Sequence, residues 1–420
     1  MISYFNNSQK SVSILLSIAI LSLSYPLRMP LLIGILATFF VFLKIITGRF
    51  KIRINIGIII FYFCVLTYII GLSFNQGIIY NQNIYDIANI VSLLLILILL
   101  SDLKREDYPN LINTFARYGV FTSFLVSLIS LYKFYHLQRG VRLSPFFSGP
   151  LYPDGTSLVI DYNMFCFALS SGLIMSIYLF GQVKNRINRI YYFVSTLVIF
   201  ISIIFAGSRR GWVVAIIIIP FLLYYVIKYL IHRPPVKLFK FGFIAIFIAI
   251  FLYLTGVLFG FKLNLQTSDQ VQMLKLRFNT LQANQLDTSL SARTERWDYA
   301  FELWGDSNLM QIIFGHGFNY LHKFAQHSSI FIKEDYPHNP FLSTLLYSGL
   351  IGFFILICLT IWSVWKAFKS KNTLGIPFVF LFFISWLFIF ISSNSIFSIH
   401  LFCILLMIII STPDKFKASI

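Results

Sequence analysis

The sequence predicts an all-α integral membrane protein of about twelve transmembrane helices, with one large extramembrane loop between the ninth and the tenth. Three observations carry that expectation. Of 420 residues, 58% are hydrophobic and 11% charged, against roughly 25% charged in an ordinary soluble domain. A soluble globule of this size has no core large enough to hide so much apolar surface. Apolar runs long enough to cross a bilayer recur along the whole chain. The basic residues sit in short clusters between those runs, as the inside-positive rule requires. A soluble enzyme, a disordered chain and a fibrous repeat are set aside on the same grounds. The net charge of +18 would suit nucleic acid if it formed one patch, but clusters between apolar runs argue for no nucleic-acid partner.

The runs fall near 11–24, 30–47, 54–74, 84–100, 112–134, 162–181, 190–206, 211–231, 240–260, 341–364, 375–392 and 396–411. The first follows Lys10 and lacks a small-residue cleavage site, so it reads as a retained helix and not a signal peptide. A backbone in lipid must satisfy its own hydrogen bonds, and long apolar runs without alternation do so as helices. Cys64, Cys166, Cys358 and Cys403 all lie inside runs, without metal or disulfide spacing, and read as small packing residues.

Lys and Arg set the orientation. With the N-terminus inside, the cytoplasmic segments hold 20 basic and four acidic residues, the short outer connections six basic and three acidic, and the segment 261–337 seven basic and eight acidic. Both termini are expected inside and the long loop outside. Most of the net charge is then an insertion signal that needs no partner. The chain divides into helices 1–7 over 1–206, helices 8–9 over 207–260, the loop 261–337, and helices 10–12 over 338–420.

The long loop is the one large piece outside the membrane, and loops of that length are often functional. Ser291–Trp304 has helical spacing. Trp297, Ala300, Phe301 and Trp304 share a face, and Ser291 stands as an N-cap. A short amphipathic helix at the outer membrane–water boundary is expected there. The remainder of the loop has no assignable pattern.

The candidate chemistry lies on the outer side. Ser208-Arg209-Arg210-Gly211-Trp212 places two arginines where the inside-positive rule does not want them. They either snorkel to lipid phosphates or bind a phosphorylated lipid substrate, since guanidinium forks match phosphate oxygens. Arg139 and Arg142 in the preceding outer connection could join them. Arg293, four residues before Trp297, is either a solvated position paired with Glu295 or Asp298, or a third anion contact. His338-Asn339 stands where the loop enters the tenth helix. An imidazole there can accept a proton from an attacking hydroxyl, and Pro337 and Pro340 restrict the backbone on either side. Gly349 and Gly352 allow close helix approach. His316, His322 and His327 show no ligand spacing. No Asp-x-Asp pair, glycine-rich phosphate loop or nucleophile elbow occurs, so no metal site and no cofactor is expected from local motifs.

Taken together, Ser208-Arg209, Arg293-x-x-x-Trp297, Gly315-x-Gly317 and His338-Asn339-x9-Gly349-x-x-Gly352 resemble the O-antigen ligase and O-antigen polymerase family of bacterial envelope glycosyltransferases. The match covers roughly residues 205–355; the first 200 residues match only in layout. A second arginine at 210, where a small residue is common in the family, leaves open which of Arg209 and Arg210 faces the substrate. The resemblance implies a GT-C-like helical fold in the bacterial inner membrane, working at its periplasmic face. The implied reaction is metal-independent and inverting, from an undecaprenyl-diphosphate-linked glycan to a sugar hydroxyl. The acceptor is lipid A–core in the ligase branch. In the polymerase branch it is another lipid-linked repeat unit, with a chain-length regulator as a further partner. Arg209, Arg210 and Arg293 would neutralise the leaving diphosphate, His338 would orient or deprotonate the acceptor, and Asn339 would fix the imidazole or a sugar hydroxyl. The histidine–glycine pattern is nearer the ligase branch. A transporter or flippase is the alternative from another class, but two related halves and midplane charges, its usual marks, are not seen.

Overall fold

A computed structural model describes residues 8–24, 29–47, 53–72, 81–138, 162–206, 208, 211–220, 283–328, 335–392 and 395–413. All regular structure among them is helical. In chain order these are α1 (Ser8–Ser24), α2 (Met29–Ile46), α3 (Ile56–Leu72), α4 (Asn81–Ser101), α5 (Asp107–Gln138), α6 (Tyr162–Gln182) and α7 (Arg186–Phe205). Then come α8 (Gly211–Pro220), α9 (Ala283–Gly305), α10 (Leu309–Phe314), α11 (Asn319–Ser328), α12 (Pro340–Leu374), α13 (Ile376–Ser392), a 3₁₀ turn at Ile396–Ser398, and α14 (His400–Ser411). Among the described residues four stretches, Asp107–His136, Asn163–Gln182, Arg186–Phe205 and Pro340–Leu374, are long and apolar enough to cross a membrane, and seven further apolar helices are shorter. Eleven of the expected runs therefore coincide with a described helix for all or part of their length. The run 240–260 lies outside the described residues.

The chain forms two compact units. One comprises Met1–Ala19, Arg28–Thr114 and Ser291–Ile420. Within it α2 pairs with α4, and α3 packs along α12. Large apolar side chains such as Phe42, Ile46, Phe63 and Phe354 remain exposed on these helices. Lipid is the solvent in which that arrangement carries no penalty. Polar contacts gather at one end of this unit. Lys44 is buried against Asp102. Arg105 donates to the Thr373 hydroxyl at 3.0 Å, the Tyr108 and Ser411 hydroxyls meet at 3.0 Å, and Asn55 Nδ2 donates to the Ile410 carbonyl at 2.9 Å. Lys44 and Arg105, from two of the expected cytoplasmic clusters, thus have structural partners besides any role in insertion.

The second unit comprises Ile20–Leu27 and Phe115–Leu290. Its helices meet through small and hydroxyl residues, which let backbones approach where no hydrophobic drive exists between helices. Gly172 of α6 lies against Ser123 of α5. Ser176 donates to the Tyr192 carbonyl at 2.8 Å, and Ser202 donates to the Ser127 carbonyl at 3.2 Å.

The long loop departs from expectation. Its described residues carry three helices, and α9 begins at Ala283, so Ser291 is an interior residue and not an N-cap. The reason is local: no Gly or Pro interrupts 283–304, and Leu286 and Leu290 extend the apolar spacing upstream. Ala300 is buried, while Phe301 is 53% exposed, so the apolar stripe is narrower than the spacing suggested. Asn308 then starts α10 with a full capping box to Gln311.

Candidate functional site

His338 sits between two fixed points. Downstream, Asn339 is the N-cap of α12; its side-chain oxygen accepts from the Phe341 and Leu342 amides at 2.9 and 3.4 Å. Its extended backbone (φ −139°, ψ 117°) is the conformation that both an N-cap and a residue before proline require. Pro340 fills the first helical position, where no amide donor is missed. Upstream, α9 holds the segment 335–337. Trp297 Nε1 donates to the Pro337 carbonyl at 3.1 Å, Arg296 forms an ion pair with Asp335 at 3.1 Å, and the Asp335 amide donates to the Leu321 carbonyl at 3.2 Å.

Between these points His338 has φ 55°, the single non-glycine residue with positive φ among the described residues. That conformation is unfavourable by roughly 1–2 kcal/mol for an L-residue with a Cβ. It persists only where the surroundings over-determine it, as they often do at functional sites. The imidazole is half-buried and tilts against the Tyr336 ring with centroids 4.3 Å apart.

Arg293 lies in α9, one turn before Trp297, so its Cα shares the helix face that Trp297 turns toward 335–337. The helix bearing Arg293 and the segment bearing His338 are thus brought together. The side chain of Arg293 lies outside the described residues, as do Arg139, Arg142, Arg209 and Arg210. What flanks the last two is described. Ser208 is buried, donates to Asn163 Oδ1 at 2.9 Å and accepts from the Gly211 amide at 3.3 Å, while Trp212 Nε1 donates to the Ile204 carbonyl at 2.9 Å. Asn339 differs from expectation in one respect: its oxygen is committed to the helix cap.

The glycine motifs do more than let helices approach. Gly349 (φ 64°, ψ −163°) breaks α12. The break frees the carbonyls of Leu346 and Tyr347, and these accept from the His316 and Gly317 amides at 2.8 and 3.0 Å. A Cβ on Gly349 would strike the Ile313 carbonyl, and one on Gly315 (φ 84°) the Tyr347 carbonyl. Gly315-x-Gly317 and Gly349 are therefore two halves of one backbone junction, tying the loop to the head of α12. His316 is buried there, with Nε2 2.6 Å from the Ser307 hydroxyl. That hydroxyl donates to the Leu303 carbonyl at 2.7 Å, so the imidazole N–H donates to Ser307. Burial pushes the His316 pKa down to about 4, and the Lys323 ammonium acts in the same direction. His327 stacks on Tyr299 at 3.6 Å, and His322 meets Gln326. Among the described residues no three His, Cys, Asp or Glu side chains converge as metal ligands.

What these features define is a class: a helical membrane protein in which an arginine-bearing loop helix is docked on a strained histidine at the head of a membrane helix. Residues 193–357 match the family model described as O-antigen ligase. The matched stretch takes in every motif of the site, from Ser208 to Gly352, and likens this part of the chain to the O-antigen ligase and polymerase family. No curated protein matches the chain.

Proposed function

We propose that the protein transfers a glycan from undecaprenyl diphosphate to a sugar hydroxyl at the periplasmic face of the bacterial inner membrane. The ligase reaction, with lipid A–core as acceptor, is favoured over polymerisation of lipid-linked repeat units. The topology is twelve helices with both termini inside, divided at residues 206, 260 and 337. The observation that carries the reading is the Trp297–Pro337 hydrogen bond, which sets the Arg293 turn beside the His338 segment within the stretch matching the O-antigen ligase model.

In the proposed reaction the acceptor oxygen attacks the anomeric carbon from the face opposite the diphosphate. The bond from that carbon to the diphosphate oxygen breaks, and the hydroxyl proton passes to the His338 imidazole. Undecaprenyl diphosphate leaves as the anion, and Arg293 with Arg209 and Arg210 neutralises its charge as it grows. In this reading the three cations do the work that a divalent metal would otherwise do. Asn339 holds His338 at the helix head through its cap, and its amide nitrogen would donate to a sugar hydroxyl. Arg139 and Arg142 would add further anion contacts.

Purified Arg293→Ala and His338→Ala, assayed with lipid-linked donor and acceptor, are expected to lose turnover by roughly 10²-fold or more; wild-type rates in both would sink the proposal. Activity abolished by EDTA and restored by a divalent ion would remove the metal-free step. Deleting the gene separates the two branches. Loss of all attached O-antigen marks a ligase, and a core bearing a single repeat marks a polymerase.

A further inference from the structure

We infer that Arg296, Trp297 and Asp335 are positioning residues for His338, forming a clasp that fixes the imidazole relative to Arg293. The inference rests on the proposed transferase reading and extends it to residues outside the reacting set.

The geometry is that of a two-point hold. Arg293, Arg296, Trp297 and Ala300 follow the i, i+3, i+4, i+7 spacing of one helix face. From that face the Arg296 guanidinium reaches the buried Asp335 carboxylate at 3.1 Å, and the Trp297 indole reaches the Pro337 carbonyl at 3.1 Å. The first contact lies three residues before His338 and the second one residue before it. The Asn339 cap holds the residue after it. A left-handed backbone at a non-glycine residue relaxes unless both sides are constrained, and α9 supplies the upstream constraint. The helix is itself braced: the Tyr299 hydroxyl donates to the Lys323 carbonyl at 3.2 Å, and the Tyr299 ring packs on Phe324 of α11. One rigid turn of α9 therefore carries both the arginine proposed to meet the diphosphate and the groups that orient the base. The two partners of the reaction are then held at a set separation, which is what proximity catalysis requires.

The full chain in detergent tests this in two ways. Trp297→Phe keeps an aromatic ring and removes the indole donor. It should lower kcat by roughly tenfold or more with the donor KM nearly unchanged. In a His338→Ala background the same change should have almost no further effect, because it acts through the imidazole. Equal fold losses in both backgrounds would overturn the clasp as a positioning device. The second readout needs no turnover. Carbethoxylation of His338 by diethyl pyrocarbonate, followed by peptide mass spectrometry relative to exposed His322, should accelerate by about threefold or more in Trp297→Phe and in Asp335→Asn, as the segment opens locally. Glu302→Gln, on the exposed face of α9, should leave it unchanged. Unchanged His338 modification in both clasp variants would overturn the inference even if activity falls. Accelerated modification combined with full turnover by His338→Ala would instead overturn the transferase reading and leave the clasp standing.

Discussion

At the scale of single residues, His338 is held in a backbone state that its side chain disfavours, and this separates its chemical role from its structural one. Asparagine and glycine tolerate the left-handed region better than other residues. His338→Gly and His338→Asn are therefore expected to fold as well as the wild type or better, with a gain of up to about 1 kcal/mol for glycine. Both should still lose turnover by roughly 10²–10⁴-fold. A thermal melt in detergent beside a transfer assay checks the pair, and retained turnover in His338→Asn would mean the ring is not the proton acceptor. His316 gives a prediction of a different kind. Its pKa is pushed down to about 4 in the folded chain, while the unfolded chain keeps the ordinary value near 6.5. Above pH about 6.5 both states are neutral and the residue contributes no pH dependence. As pH falls from there toward about 4 the unfolded state takes up the proton first, so folding weakens by at most about 1.4 kcal/mol per pH unit, and it levels off once the folded imidazole also protonates. Melting temperature should drop across that window, and His316→Gln should flatten the drop; an identical acid limb in the variant would show that other groups cause it.

Helices and their junctions show which features a sequence makes visible. Most of the described apolar helices begin and end within a few residues of the apolar runs because length and hydropathy act within one segment; α12 instead continues past its run to Leu374, since no Gly or Pro stops it before Gly375. The Asn308–Gln311 capping box is equally local and could have been read from the sequence. Ser291 misled because an N-cap residue is a signal only where something stops the preceding helix, and nothing does. Gly349 was legible as a residue that lets a partner come close, but not as the break in α12, since that depends on the backbone of residues 313–317 docking from far away in sequence. The Arg296–Asp335 pair was invisible for the same reason. The junction supplies its own test. Gly349→Ala meets both a positive φ and the Ile313 carbonyl, for a combined penalty of roughly 2–5 kcal/mol, and it should release α10 from α12. Faster hydrogen exchange at the His316 and Gly317 amides would report that release. Gly305→Ala, with nothing within 4 Å of the new Cβ, should be neutral or stabilise α9 by up to about 1 kcal/mol. Equal exchange in the two variants would mean the junction does not hold the loop.

On the scale of the whole molecule, the charge pattern and the site make one joint claim. The chain carries +18, and most of that excess falls in segments assigned to one side of the membrane. In the unit containing α12, the polar contacts of Lys44, Asp102, Arg105 and Thr373 lie at the tail of that helix, and His338 with its clasp lies at the head. Beyond its break at Gly349 the helix runs on from Leu350 to Leu374, 25 residues, or about 37 Å along its axis, more than the roughly 30 Å hydrocarbon core of a bilayer. The two ends must then face opposite compartments if α12 crosses the membrane, as its length and composition allow. Under the inside-positive rule the tail is expected in the cytoplasm, which would deliver the proposed site to the side where a lipid-linked glycan would be presented. Single cysteines at the exposed positions Glu302, Lys323 and Lys371 test the chain of reasoning directly. In intact spheroplasts a membrane-impermeant maleimide should label Glu302→Cys and Lys323→Cys, and should label Lys371→Cys only after permeabilisation. Labelling of all three without permeabilisation would mean that α12 does not span. The inverted pattern would place His338 in the cytoplasm and remove the transfer from the periplasmic face.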